Sequence, residues 1–205
     1  ASKYFYTLTD GRFDVTISPL VHLWGFSKDG HLENIPSKNE IDSTLQYIGM
    51  DNLIIESDHS ITKKKEITID LSAIAKGYAV DCISEYLNKL SFNNYMVEIG
   101  GEVRSSGKNR EGEGWTIGLQ NPNSINITSS LKISLSNKSL ATSGNYRNYY
   151  DINGERYSHI ISPMTGYPID NDILSVSVIT EECMYADALA TALMIFNVNE
   201  GLELA

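Results

Sequence analysis

Asp187 and Thr191 stand four residues apart in a run, 185–196 (YADALATALMIF), that is otherwise small and apolar. On a helix that spacing puts both side chains on one face, one turn apart. A carboxylate and a hydroxyl so placed offer oxygen to a hard cation. The pattern is equally that of an aspartate bonded to backbone and a threonine bonded to its preceding turn. Either way, a charge among Ala186, Ala188, Leu189, Ala190 and Ala192 needs a partner.

A second constellation lies in 69–81, IDLSAIAKGYAVD. The alternation of Ile67 and Ile69 predicts a strand over 66–70 that ends at Asp70. Ser72 then stands where a helix cap is expected. A strand running into a helix start gathers backbone N–H groups and the positive helix end in one place, which suits an anion such as a phosphate. Asp70 and Lys76 flank that place with opposite charges. An ordinary strand–cap–helix junction reads the same way. His159 is the residue best suited to take or give a proton near neutrality. His22, His31 and His59 lie in less distinctive surroundings.

Three helical patterns must carry these groups: 40–48, 72–90 and 185–196. In the second, Ile74, Tyr78, Cys82, Ile83, Tyr86, Leu87 and Leu90 form an apparent apolar stripe, and Gly77 inside it implies a close approach. Strands are expected at 52–56, 66–70, 94–99, 115–120, 131–135 and 174–180. Asn153-Gly154 between tyrosine-rich runs marks a two-residue hairpin turn. Gly100-Gly101 after a strand calls for a tight turn or close backbone contact. Ser143-Gly144-Asn145, with Arg147 nearby, forms another candidate anion-binding turn, and 105–114 reads as a surface loop. The interleaving predicts an α+β protein with mixed or antiparallel sheets and a few packed helices. Length fits one domain, alone or with a small lobe, over residues 1–205.

The formal net charge of −10 argues against a nucleic-acid surface, which wants a basic face. It also means that an anionic ligand needs local help from a helix end, a lysine or a metal. Cys82 and Cys183 make no disulfide framework and read as small core groups. No stretch reaches the ~18 apolar residues of a membrane span. Neither a G-x-G-x-x-G after a strand nor a G-x-x-x-x-G-K-[ST] occurs, so dinucleotide-fold and Walker-type sites are not indicated.

Six stretches, in order, resemble the signature blocks of the ApbE-type flavin transferases: 11–26 (GRFDVTISPLVHLWGF), 69–81, 97–107 (VEIGGEVRSSG), 141–150 (ATSGNYRNYY), 157–169 (YSHIISPMTGYPI) and 185–196. The resemblance spans nearly the whole chain. It implies the family's fold and activity, magnesium-dependent transfer of FMN from FAD to a threonine or serine hydroxyl of an acceptor flavoprotein, with release of AMP. Hydrolysis of FAD to FMN and AMP, or FAD binding without turnover, are the alternatives. The resemblance also implies the site. Magnesium falls to Asp187, Thr191 and the backbone carbonyl of Ala73. Arg12, Phe13, Asp14, Asp70, Lys76 and Ile161 contact FAD, and His159 and Asp70 are the catalytic positions.

The resemblance further implies an N-terminal signal and lobe and a C-terminal end outside residues 1–205. It implies an extracytoplasmic, membrane-tethered lipoprotein whose acceptor is a redox-pump subunit or similar flavoprotein, with any membrane attachment through a lipid anchor absent from this chain. One departure stands out: the family reads an acid before Pro163, and this chain has Ser162, which can hydrogen-bond but carries no charge.

Overall fold

The structure, a computed structural model, describes every residue except 29, 33, 59, 123–128 and 147, and for 129 and 130 it describes the backbone alone. The fold is α+β, and every strand pairing among the described residues is antiparallel. The chain divides into two compact units, one of residues 1–71, 147–173 and 192–205, the other of 72–146 and 174–191.

The first unit holds helices α1 (Ser2–Leu8), α2 (Ser18–Leu23) and α3 (Lys38–Leu45), and the short hairpin of β1 (Leu53–Ile55) and β2 (Ile61–Lys63). Its core gathers Leu20, Trp24, Leu32, Ile41, Ile48 and Ile161. The Trp24 indole N–H donates to the Gly166 carbonyl at 2.8 Å, which ties the 157–169 segment to α2. Ser37 and Glu40 cap α3 reciprocally, each side chain accepting the other's backbone N–H.

The second unit is built on α4 (Ala75–Lys89) and a four-stranded sheet. The sheet's strands are β3 (Tyr95–Ile99), β4 (Glu102–Ser106), β7 (Ser139–Gly144) and β10 (Ser175–Thr180), in the order β10-β7-β4-β3. Val80 of α4 packs with Tyr95 and Val97 of β3 and with Cys183, the first residue of α5 (Cys183–Leu193). Val103 and Leu140 pack with Leu135 of the hairpin formed by β5 (Trp115–Gln120) and β6 (Ser129–Leu135). The remaining elements, β8 (Tyr149–Ile152), β9 (Glu155–Ser158) and α6 (Val198–Leu204), return to the first unit. The β8–β9 turn is Asn153-Gly154 as expected, with φ of 56° and 82°.

Several expectations are corrected. Residues 66–70 form no strand; the segment is held by the Asp70 N–H donating to the Val15 carbonyl at 2.7 Å, and its neighbour β2 pairs with β1 instead. Ser72 is not the N-cap residue of α4. The helix begins at Ala75 behind Ile74, without a side-chain cap from its own N-cap residue.

Most of the apolar stripe of α4 faces outward: Tyr78, Ile83, Tyr86 and Leu90 are exposed, while Ile74 is buried, Leu87 packs against the core, and the buried face carries Gly77, Val80, Asp81 and Ser84. The reason is the crossing with α5. A Cβ on residue 77 would stand 2.4 Å from the Cys183 carbonyl oxygen, so only a glycine lets the two backbones approach. Cys82 lies on the exposed face and is not a core group, whereas Cys183 is buried. Burial pushes the Cys183 thiol up to about 12, with nearby Asp81, Asp187 and Glu102 adding to the shift.

Candidate functional site

The second unit assembles its polar corner where α4 and α5 start. Each helix leaves its first N–H groups without intrahelical partners. Here each helix caps the other. Asp81 of α4 accepts the Cys183 N–H at 2.9 Å and the Met184 N–H at 2.8 Å. Asp187 of α5 accepts the Gly77 N–H through Oδ2 at 2.9 Å. Gly77 is the third residue of α4, so its amide has no intrahelical acceptor and Asp187 satisfies it. The first bond of the α4 ladder is therefore Tyr78 N–H to the Ile74 carbonyl, and no backbone N–H among the described residues reaches the Ala73 carbonyl.

Thr191 lies one turn after Asp187, as expected, and its hydroxyl is 3.0 Å from that of Ser143 on β7. Asp187 is buried at 3 % exposure. That burial holds its carboxyl above the ordinary aspartate value, against the lowering pull of the Gly77 amide and of Lys76. Ala73, Asp187 and Thr191 thus provide a carbonyl, a carboxylate and a hydroxyl in one unit, a donor set of hard oxygen that suits magnesium. Among the described residues no group of three acidic, histidine or cysteine side chains suits a metal ion, so any cation here rests on mixed donors.

Lys76 stands in the first turn of α4. Its ammonium meets Glu102 Oε1 at 2.6 Å. Glu102 opens β4 directly after the Gly100-Gly101 turn, which has φ of 60° and 101°. Two residues on, Arg104 reaches Asp81 at 2.6 Å, so one face of β4 sends both its charges to α4. Glu102 is 2 % exposed, and among the described residues its Oε2 has no hydrogen-bond partner. Burial raises its carboxyl, Lys76 opposes that shift, and the charge of Asp187 adds to it.

Sequence reasoning assigned no role to Glu102 or Arg104, and its anion-binding turn at Ser143-Gly144-Asn145 is corrected: Ser143 and Gly144 lie in β7, paired with β10, and the Ser143 hydroxyl meets Thr191. The available signal was the alternation of Glu102 and Arg104 on a strand entered from a glycine turn, at register positions shared with one helix.

In the first unit, Asp70 and the 12–14 segment come together through the bond from Asp70 N–H to Val15. Asp14 Oδ1 accepts the backbone N–H and hydroxyl of Thr16, and Oδ2 accepts the Met50 N–H. Phe13 is buried against Phe5, with ring centroids 5.7 Å apart. Arg12 lies over the Phe196 ring at 4.5 Å. Ile161 is a core residue bridged to Pro168, which leaves its backbone rather than its side chain for any ligand. Ser162 donates its N–H to Tyr167 and accepts that of Gly166.

A cavity of about 550 Å³ in this unit is lined by Tyr6, Asp10, Asp14, Gly49, Asp51 and Met164 among others. Its carboxylates disfavour a phosphate and suit hydroxyl or N–H groups.

His159 Nδ1 is 2.9 Å from the Asn148 carbonyl. A carbonyl only accepts, so that contact assigns the ring proton to Nδ1 and the basic lone pair to Nε2. His59 and Arg147 lie outside the described residues.

Residues 1–205 match the ApbE family. A protein of Vibrio cholerae named FAD:protein FMN transferase is 42% identical over 198 residues, which cover 97% of this chain and 59% of that protein. A Haemophilus influenzae protein of the same name is 38% identical over 203 residues, with 97% and 59% covered. The solved structure of the flavin transferase ApbE from Vibrio cholerae superposes with a TM-score of 0.89 at 41% identity, over 100% of this chain and 65% of that one. The chain thus spans about three-fifths of the length of these curated relatives.

Proposed function

From the premise that the chain belongs to the ApbE family, we propose that it moves FMN from FAD to a threonine or serine hydroxyl of an acceptor flavoprotein, with AMP as the second product. The relatives' name, FAD:protein FMN transferase, supports the flavin substrate and the transfer. The acceptor on this reading is a redox-pump subunit or similar flavoprotein.

The observation that carries the magnesium assignment is the buried Asp187 carboxylate, which holds the first turn of α4 through the Gly77 amide and has the Thr191 hydroxyl one turn on. The Ala73 carbonyl, just before α4, accepts no backbone N–H among the described residues. Ala73, Asp187 and Thr191 would hold the ion. A bound magnesium supplies neutralisation of charge on the diphosphate.

The protein's own groups do the rest. The Lys76 ammonium adds a point charge for the diphosphate. The acceptor hydroxyl attacks the phosphorus of the FMN half and forms a new P–O bond. The P–O bond to the AMP half breaks, and AMP leaves with that oxygen. The hydroxyl proton goes to a base, for which His159 Nε2 has the lone pair. Asp70, beside the 12–14 segment, is assigned to bonding FAD.

The test is incubation with FAD and magnesium, with and without an acceptor protein. AMP release and flavin fluorescence that stays on the denatured acceptor are the expected result. AMP without labelling makes the protein an FAD pyrophosphatase. Bound flavin without AMP makes it a carrier and overturns the proposal.

A further inference from the structure

Glu102 is a buried acid that the fold does not need. Among the described residues its Oε2 has no hydrogen-bond partner, and a buried carboxylate oxygen without a donor costs stability that an apolar side chain of the same length would not. Its ion-pair partner, Lys76, keeps 45% of its side chain exposed, so water could solvate that ammonium without help. The pair instead fixes a place. The Gly100 turn lies against both partners: a Cβ there would stand 3.6 Å from Lys76 Cδ and 3.7 Å from Glu102 Oε2. The neighbouring amide, that of Gly77, is the one held by Asp187. Because Oε2 is out of reach of solvent, Glu102 does not serve as a base for an incoming hydroxyl.

We propose that Glu102 is a positioning residue, which aims the Lys76 ammonium at the ligand's diphosphate. The inference rests on the flavin-transferase reading above and assigns Glu102 a task within it. A flexible lysine stem loses rotamer freedom whenever its head is fixed. Held in advance by Glu102, it does not lose that freedom again when the ligand binds. Buried residues kept for orientation, at a cost in stability, leave a distinctive signature: their removal stabilises the fold and weakens the ligand.

The experiment uses ADP with magnesium as a probe that carries the diphosphate and no flavin. Its affinity is measured by calorimetry for the parent chain, Glu102→Met, Glu102→Gln, Lys76→Gln and the Lys76→Gln/Glu102→Met double variant. Thermal melts are recorded for each. The expected result is about a tenfold loss of ADP affinity in Glu102→Met, the scale of losing a charged hydrogen bond that orients a site group. Its melting temperature should equal or exceed the parent's. Glu102→Gln, which still accepts from Lys76, should recover most of the loss. In the Lys76→Gln background, Glu102→Met should change nothing further.

Unchanged affinity in Glu102→Met overturns the inference. So does a tenfold loss that persists without Lys76, or a lowered melting temperature with affinity intact, which marks a structural ion pair. These outcomes leave the transferase reading standing if the parent binds ADP. A parent chain that binds neither ADP nor FAD removes both.

Discussion

Gly77 and Asp187 meet through a 2.9 Å hydrogen bond, amide to Oδ2, across the crossing of two helices 110 residues apart in sequence. That contact joins packing to chemistry. The missing side chain at 77 lets α5 come near enough for Asp187 to cap an amide that the start of α4 leaves unpaired. Gly77→Ala puts a methyl 2.4 Å from one backbone atom of α5 and 2.7 Å from two others, none of which can swing aside. Overpacking of this kind costs about 1–3 kcal/mol, only partly offset by the ~1 kcal/mol gain in helix propensity. We expect a melting temperature lowered by several degrees, read by circular dichroism. A variant as stable as the parent would mean the helices do not cross so closely.

Asp187 does two things, and two substitutions separate them. Asp187→Ala strands the Gly77 N–H in a buried place, at about 1–3 kcal/mol. Asp187→Asn keeps an oxygen for that amide and removes the charge. We expect Asp187→Asn to melt close to the parent yet to lose magnesium-dependent AMP release and the magnesium dependence of ADP binding. If AMP release in either variant follows magnesium as in the parent, Asp187 is not a metal ligand.

The surface of α4 gives the sharpest contrast between what the chain spells and what it builds. Periodicity reports which residues are apolar, not which are covered. Tyr78, Ile83, Tyr86 and Leu90 share a stripe that is exposed, and the covered face carries Gly77, Val80, Asp81 and Ser84, whose small size and single carboxylate meet the requirements of a close crossing. We expect Ile83→Gln or Leu90→Lys in this chain to shift unfolding by about 0.5 kcal/mol or less, whereas Val80→Ala should cost about 2 kcal/mol. Urea titrations of the three variants check this, and a large loss in Leu90→Lys would restore the stripe to the core.

Local signals fared better where the cause is local. The Asn153-Gly154 turn needs positive φ at two successive residues, and asparagine and glycine supply it whatever lies around them. β5 occupies 115–120, the range its β-branched and aromatic alternation marks. The one-turn spacing of Asp187 and Thr191 survives because α5 is helical throughout. What the sequence hid are relations set by tertiary pairing: Glu102 with Lys76, Ser143 with Thr191, Asp81 with the start of α5. No period in the chain encodes those meetings.

Asp14 predicts a pH dependence in the first unit. Burial raises its carboxyl above the ordinary 3.8, only partly countered by the bonds from Thr16 and Met50. A raised folded-state value means that the folded chain binds more protons than the unfolded one between the two values, so stability falls as pH rises through that window. Asp14→Asn lacks this titration. The parent's stability relative to Asp14→Asn should therefore be greatest below 3.8, shrink as pH passes the folded value, and stay level above it. Urea midpoints of both proteins over a pH series test the sign, and a gap that widens with pH would reverse it.

His159 offers the last test, because one carbonyl fixes its chemistry. The Asn148 oxygen takes both the His159 backbone N–H at 3.1 Å and the ring Nδ1–H at 2.9 Å, and the Phe26 ring stands edge-on at 6.3 Å. Backbone, ring plane and tautomer are thus set together, and the lone pair able to accept a proton is on Nε2. His159→Asn can keep the bond to Asn148 while deleting Nε2. His159→Ala deletes both. Loss of a general base costs about 10²–10⁴ in rate. We expect both variants to lose that factor in transfer and to retain FAD affinity, measured by flavin fluorescence. Equal losses place the function at Nε2. A full-rate His159→Asn together with a slow His159→Ala would mean that the residue serves by anchoring the 157–169 segment to Asn148, and another group would have to take the hydroxyl proton.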